Sequence, residues 1–359
     1  MAEWAFQLRP YADELLSSFL ARTAHGHGSM AGAFCRFHLR DSWFFTRDVD
    51  RGMVVSQHAL LARLAGLSPQ EISALTLRSW VDALTPARYR ATVSPAVVPW
   101  INAAGIVQAR RRYRSLAFCP ACLEERPVAL RQWRLSFHVW CSVHGRPLQD
   151  GCPQCGAAFV PHLARATLLR CHACSCALSE GIQASHGNQL EVAALQAQMD
   201  QWLTAAANGD TESRDQLDAL HVLTSVILFG HSGQALRTTM NEFRSEAPRK
   251  SRLEFLGMTE RECAMSCLAR VLNGWPNSFR QLAQLTGLTQ RSFARLGAVA
   301  SSGSWLGDEV AKLRPGSKRA HARRDECMVD LEGRETSEHG NWRAERAQLL
   351  MRRAIKRGH

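Results

Sequence analysis

The chain has 359 residues and a formal net charge of +12, which results from 44 Lys and Arg against 32 Asp and Glu. This length allows two or three domains with their own cores, and the charge favours an anionic partner such as nucleic acid. Because no apolar run approaches the roughly 18–20 residues of a membrane span and we find no secretion signal, we expect a cytoplasmic protein with no membrane contact.

Residues 1–115 are predicted to form an N-terminal helical domain, and residues 57–77 have the pattern of a helix-turn-helix. The second helix of this motif starts with Ser68 as a cap and has Glu71 three residues later, which is the arrangement of a capping box. This geometry is typical of a DNA reader. It is also typical of a helical hairpin that packs against the protein or contacts another protein. The second helix, Pro69 to Thr76, contains no Lys or Arg, which favours that alternative.

A basic run directly precedes the first cysteine pair. It contains Arg110, Arg111, Arg112 and Arg114. Because guanidinium forks match the geometry of phosphates, one interpretation is contact with nucleic acid. The alternative is a solvated surface run without a partner.

Four pairs of potential metal ligands follow one another in the central region, residues 116–180, and each pair encloses two residues. This spacing lets both side chains of a pair face one ion, and zinc takes four Cys or His ligands in a tetrahedron. Pairing of neighbours therefore predicts two closed, structural sites and two Zn²⁺ ions per chain. The predicted ligands are Cys119, Cys122, Cys141 and His144 for the first site and Cys152, Cys155, Cys171 and Cys174 for the second.

Other arrangements of these ligands stay open at this point. Crossed pairing would join Cys119 and Cys122 to the third pair, and Cys176 could take the place of Cys174. Disulfides do not suit the expected cytoplasmic location, and a redox site does not need four clustered pairs, one of which contains His. The alternation of apolar and polar residues from 133 to 139 predicts a strand that leads to the third ligand of the first site.

Residues 181–314 are predicted to form a C-terminal helical domain with a second helix-turn-helix between residues 275 and 300. The second helix of this motif would present Arg291 and Arg295 outward, which suits phosphate contact better than the first motif does. Residues 315–359 are basic, contain few core-forming residues and predict a mobile tail. The predicted fold is thus mainly α, with small zinc-ribbon or zinc-knuckle β elements and helix-turn-helix segments on either side of two central zinc sites.

The segments CPACLEE, RQWRLSFHVWCSVHGRPLQDGCPQCG and CHAC occur in this order, and PYADELLSSFLAR precedes them near the N-terminus. This series resembles the TniQ family, the target-selection proteins of transposons that use a multi-protein machinery. The resemblance covers most of residues 5–180 and, more weakly, residues 250–310. Ser175 departs from the family, which usually has Gly after the last ligand.

The resemblance implies a protein that is not an enzyme and that selects the target site in DNA transposition. It would link a target, either a DNA site or a CRISPR effector complex with its guide RNA, to an AAA+ ATPase regulator that recruits the transposase, and it could act as a homodimer. The residues agree with a non-enzymatic role, because the sequence has neither a GxxxxGK[ST] loop nor a His-x-Glu before Pro-Cys-x-x-Cys. The alternative is a free-standing zinc-containing DNA-binding regulator.

Overall fold

The computed structural model of the protein describes residues 3–53, 55–85, 97–107, 110–112, 116–179, 189–228, 252–294 and 304–316. The chain divides into two compact units, Met1–Leu313 and Arg314–His359. The second unit is described only at residues 314–316, so the predicted tail lies almost entirely outside the described residues. The domain boundaries that we place near residues 115 and 180 fall within the first unit and stay predictions.

The described residues are mostly helical, as the sequence predicts. The α-helices are α1 (Leu16–Gly26), α2 (Ala31–Leu39), α3 (Val55–Ala65), α4 (Pro69–Ala74), α5 (Arg78–Leu84), α6 (Pro120–Glu125), α7 (Gln189–Ala207), α8 (Thr211–Leu228), α9 (Met258–Leu272), α10 (Asn277–Thr286), α11 (Gln290–Ala294) and α12 (Trp305–Ala311). Short 3₁₀ helices occupy Phe44–Thr46, Val49–Arg51, Arg131–Arg134, Pro161–Leu163 and Leu253–Phe255. Among the helices of the described ranges, none combines the length and the apolar character that crossing a membrane requires.

Two small antiparallel sheets of two strands each make up the regular β structure of the described residues. The strands are β1 (Gly105–Val107) with β2 (Arg110–Arg112), and β3 (Trp140–Cys141) with β4 (Arg146–Pro147). The second sheet lies in the central region, where the sequence predicts small β elements. Its two strands flank the turn that contains His144. The mainly α fold with minor β structure is therefore confirmed.

Helices α3 and α4 form the first predicted helix-turn-helix, and Gly66 makes the turn with a φ of +62°. The capping box is formed, because the Glu71 N–H donates to the Ser68 hydroxyl over 3.1 Å and the Ser68 N–H donates to the Glu71 carboxylate over 2.8 Å. Leu61 on α3 and Ile72 on α4 are fully buried in the same core. These contacts hold the two helices together.

Helices α10 and α11 form the second predicted motif, with Gly287 at the turn in the left-handed conformation. Helix α12 closes the motif, because Arg280 on α10 donates twice to the carboxylate of Glu309, over 2.7 Å in each case. Gln290, the first residue of α11, donates to two carbonyl oxygens at the C-terminal end of α12. Residues 295–303, which include the rest of the expected recognition helix, lie outside the described residues.

The buried apolar residues of the first unit form two clusters. The smaller cluster joins α1 to α4 and includes Phe19 and Phe34. The larger cluster joins α5, the central region and the helices α7 to α12, and it includes the fully buried Trp100 and Trp133. The region of the ligand pairs therefore shares its core with helices that are distant in sequence.

The strand predicted for residues 133–139 is wrong. Arg131–Arg134 form a 3₁₀ helix, and the chain enters a strand only at Trp140. Every residue from 133 to 139 is buried. The Arg134 side chain forms an ion pair with Asp48, and the His138 ring forms a hydrogen bond with the Asp200 carboxylate. The alternation in the sequence thus reflects buried polar contacts and does not mark the solvent face of a sheet.

Candidate metal centres

The first group of candidate ligands comes from two short pieces of chain. Cys119 lies just before α6, and Cys122 lies in the first turn of that helix, which starts at Pro120. Cys141 ends β3, and His144 lies in the turn between β3 and β4. The ligand atoms of the four residues lie within 4.8 Å of one another, so the structure brings neighbouring pairs together and not the crossed ones.

The imidazole of His144 is oriented as a metal-binding histidine would be. Its Nδ1 lies 3.2 Å from the Cys122 sulfur and 3.6 Å from the sulfurs of Cys119 and Cys141. On the other side of the ring, Nε2 donates a hydrogen bond of 2.9 Å to the carboxylate of Glu125. This contact places the proton on Nε2 and leaves the Nδ1 lone pair toward the sulfurs, which is how a carboxylate orients a histidine ligand.

The charge of each thiol in the first group depends on its neighbours. Hydrogen bonds with Cys119 and Cys122 lower the pKa of Cys141 to about 3. The hydrogen bond with Cys119 is the largest of the causes that raise the pKa of Cys122. The contact with Glu125 raises the pKa of His144. The group thus includes a thiolate at neutral pH, and the thiolate is the form in which cysteine binds a metal.

The second group joins two turns of similar geometry. The sulfur of Cys152 lies 3.6 Å from that of Cys174, and the sulfur of Cys155 lies 3.6 Å from that of Cys171. All four sulfurs lie within 4.8 Å of one another. Cys176 is not in the group, and its carbonyl oxygen accepts a hydrogen bond of 2.9 Å from the Cys171 N–H. The geometry therefore favours Cys174 over Cys176 as the fourth ligand.

In all four ligand turns the N–H of the residue after the second ligand donates to the carbonyl oxygen of the first ligand, and three of these turns share the same backbone conformation. In these three turns the donating residue has a positive φ and its hydrogen bond measures 2.9 Å. These residues are Gly145, Gly156 and Ser175. In the last turn, burial raises the pKa of Cys171, but hydrogen bonds from the N–H groups of Cys174 and Ala173 outweigh burial and hold this pKa at about 7.

Both groups have the donors and the dimensions that zinc requires. In a tetrahedral site with Zn–S bonds of about 2.3 Å, two sulfur ligands lie about 3.8 Å apart. The sulfur–sulfur distances of 3.6 Å in both groups are close to this value. Three Cys with one His, and four Cys, are the donor sets of closed structural zinc sites. Both groups could therefore hold a metal ion with no coordination position left open.

The first group lies in a region that matches a known family. The family model described as TniQ matches residues 5–148, which include all four ligands of this group. This part of the chain is similar to the TniQ family. The resemblance seen in the sequence is confirmed over this range. No curated protein matches the chain.

Within the TniQ region, Arg134 joins the central segment to the N-terminal helices. Its guanidinium donates to Asp48 over 2.6 and 3.0 Å and to Asp50 over 3.1 Å. It also donates to the carbonyl oxygen of Asn102 over 2.8 Å. Asp50 in turn accepts hydrogen bonds from the N–H and the hydroxyl of Ser17 on α1, over 2.8 and 2.9 Å. One buried side chain thus connects three segments of the TniQ region.

The charges of this buried cluster depend on one another. Burial alone would lower the pKa of Arg134, but the carboxylates of Asp48 and Asp50 outweigh burial and raise it. Burial is also the main cause that raises the pKa of Asp50, and Arg134 offsets part of that effect. Removal of the guanidinium would therefore leave the buried carboxylate of Asp50 without its ion-pair partner, which is strongly unfavourable.

The residues predicted to contact nucleic acid are only partly described. Residues 110–112 form β2, which pairs with β1. Arg114 and Arg295 lie outside the described residues, and Arg291 lies half-buried on α11. A role of these arginines in nucleic-acid binding stays a prediction.

Two residues that support the TniQ region were not predicted from the sequence. Glu125 lies three residues after Cys122 on α6, and residues three apart lie on the same face of a helix. This spacing could have indicated a carboxylate near the ligand group. Arg134 is different, because its carboxylate partners lie 84 and 86 residues away along the chain. No local pattern indicates such a pair.

Proposed function

We propose that this protein selects the target site in DNA transposition and links that target to an AAA+ ATPase regulator, which recruits the transposase. The observation that carries the proposal is the TniQ match over residues 5–148. Two Zn²⁺ ions, one in each ligand group, would hold the central region in shape. The protein would act by binding other molecules, and the closed donor sets support a structural use of zinc over a catalytic one.

The connections around the first group support a scaffold of this kind. Gln196 on α7 accepts hydrogen bonds of 3.1 Å from the N–H groups of Val139 and Trp140, and it donates one of 2.9 Å to the Trp140 carbonyl oxygen. The chain that leads to Cys141 is thereby tied to α7, while Arg134 ties it to α1. A metal ion bound at Cys141 would consequently influence helices on both sides of the central region.

The target would be a DNA site or a CRISPR effector complex with its guide RNA. The three-helix arrangement of α10 to α12 supports contact with DNA, since such motifs place a helix in the major groove. Helix α4 supports contact with protein, because it contains no Lys or Arg that could contact phosphates. Its exposed residues include Gln70, Ser73 and Ala74.

A reconstituted transposition assay with the ATPase and the transposase tests the proposal. Insertion at the specific target should require this protein, and Cys152→Ser, which removes a ligand of the second group, should reduce it strongly. Cys176→Ser is the matched control, because Cys176 lies outside that group, and it should insert like the wild type. Targeted insertion that continues without the protein would refute the proposal. A protein that binds DNA but neither the ATPase nor the effector complex would instead be a free-standing regulator.

A further inference from the structure

One face of α2 and the turn that follows it combine exposed aromatic rings with free arginines. Phe37 is 77% exposed and Trp43 is 71% exposed. Arg36 and Arg40 are also exposed, and within the described parts of the chain neither makes a hydrogen bond or an ion pair. We call these four residues the α2 surface.

The members of the α2 surface lie close together in the chain. Arg36 and Phe37 are consecutive residues of the last turn of α2, and Arg40 is the residue at which the helix ends. Ala33 is exposed one turn earlier, while the opposite face of α2 is buried in the smaller core. Trp43 follows in the next turn, where its N–H donates to the Asp41 carboxylate over 2.9 Å. The four exposed side chains thus lie within eight consecutive residues at the C-terminal end of α2.

The α2 surface is positively charged. Helix α2 contains no Asp or Glu. The acidic residue that follows it, Asp41, is already bound by the side chains of Arg47 and Gln57. Its carboxylate therefore does not neutralise Arg36 or Arg40. This charge is complementary to an anionic partner.

Arg40 is held in an unfavourable backbone conformation. It ends α2 with a φ of +51°, in the left-handed region. Glycine is the usual residue at such a position, and another residue costs about 1–2 kcal/mol there. A non-glycine residue held in such a conformation motivates a functional hypothesis for its side chain.

We propose that the α2 surface binds single-stranded nucleic acid, with Arg36 and Arg40 on phosphates and with bases stacked on Phe37 and Trp43. Aromatic rings next to arginines form the platform on which unpaired bases stack, and every base has a face that can do so. A duplex keeps its bases stacked inside, so exposed rings favour a single strand. An acidic protein segment would pair with the arginines without needing the rings. The proposal goes beyond target selection and does not rest on it.

The test measures binding of labelled single-stranded RNA and DNA of about 12 nucleotides to the zinc-loaded full chain at several salt concentrations. The double variant Phe37→Ala, Trp43→Ala should bind at least fivefold more weakly with an unchanged salt slope, since stacking is lost but no phosphate contact. The double variant Arg36→Gln, Arg40→Gln should have a slope smaller by about 1.4, or about 0.7 for each lost phosphate contact. The two signatures separate stacking from charge.

Two variants serve as matched controls. Arg63→Gln removes an exposed arginine of α3, and Leu190→Ala removes an apolar side chain of α7 that is 87% exposed. Both should bind oligonucleotides like the wild type. The proposal is overturned if neither oligonucleotide binds, or if the controls lose as much binding as the test variants. It is also overturned if an acidic peptide binds through Arg36 and Arg40 while the oligonucleotides do not.

Discussion

Ser175 in the last ligand turn occupies the position that Gly156 occupies in the turn before it. Each residue follows the second cysteine of its pair and donates its N–H to the carbonyl oxygen of the first cysteine over 2.9 Å. Their φ angles are 64° and 69°. Glycine adopts such angles without steric cost, whereas serine does not. Serine at position 175 therefore strains the backbone and leaves the group of four sulfurs intact.

Ser175→Gly should stabilise the second group by about 1 kcal/mol, because it removes this strain. Since metal binding and folding of such turns are coupled, zinc should be retained about fivefold more tightly. Chelator competition followed by native mass spectrometry, which separates chains with one and two ions, measures the effect.

Gly156→Ala is the reverse experiment in the equivalent turn. No atom lies within 4 Å of the added Cβ, so only backbone strain changes. Zinc should be released from the second group about fivefold more easily. If Gly156→Ala weakens zinc binding but Ser175→Gly does not strengthen it, the two turns are not equivalent in energy.

Glu125→Ala should weaken metal binding by the first group and leave the second group unchanged. Loss of a carboxylate that orients a histidine ligand typically costs about 10–100-fold in metal affinity. We expect the lower end, about tenfold, because the Glu125 side chain is 63% exposed. Glu124→Ala is the control, since Glu124 is exposed on the same helix. Equal losses in both variants would mean that Glu125 does not orient His144.

Arg134→Met should destabilise the protein by about 3–5 kcal/mol, because Asp50 would remain buried without its guanidinium partner. Urea unfolding of the zinc-loaded protein measures this change in the free energy of unfolding. Arg165→Met, at an exposed arginine of the central region, should change it by no more than about 0.5 kcal/mol. A loss below about 1 kcal/mol for Arg134→Met would contradict the role of this side chain in joining the segments.

The ligand pairs, the two helix pairs and the Ser68 cap could be predicted from the sequence because each depends on residues a few positions apart. The structure of residues 133–139 could not. The side chains of Arg134 and His138 contact carboxylates that are distant in sequence, as in the 2.6 Å hydrogen bond between His138 and Asp200. The large shared core was equally inaccessible, since Trp133 packs with helices that lie far away along the chain. Local periodicity reports which side chains are apolar and does not report what covers them.

Metal removal should increase hydrogen exchange in the ligand turns and also in helices outside them. Because the central region shares its core with α7 and α9, a chelator should increase hydrogen exchange in these helices as well as in residues 116–179. Helices α3 and α4 belong to the separate smaller core and, within the described residues, have no such connection, so they should stay protected. Increased exchange confined to the ligand turns would show that the shared core holds without metal.

The zinc content of the purified, folded protein is the most direct measurement. Native mass spectrometry should find two zinc ions per chain. Cys119→Ser and Cys141→Ser should each lose the same ion and keep the other, whereas Cys171→Ser should lose the ion that those variants keep. Folded wild-type protein without zinc, or variants in which Cys119 shares its ion with Cys152, would contradict two closed sites built from neighbouring pairs.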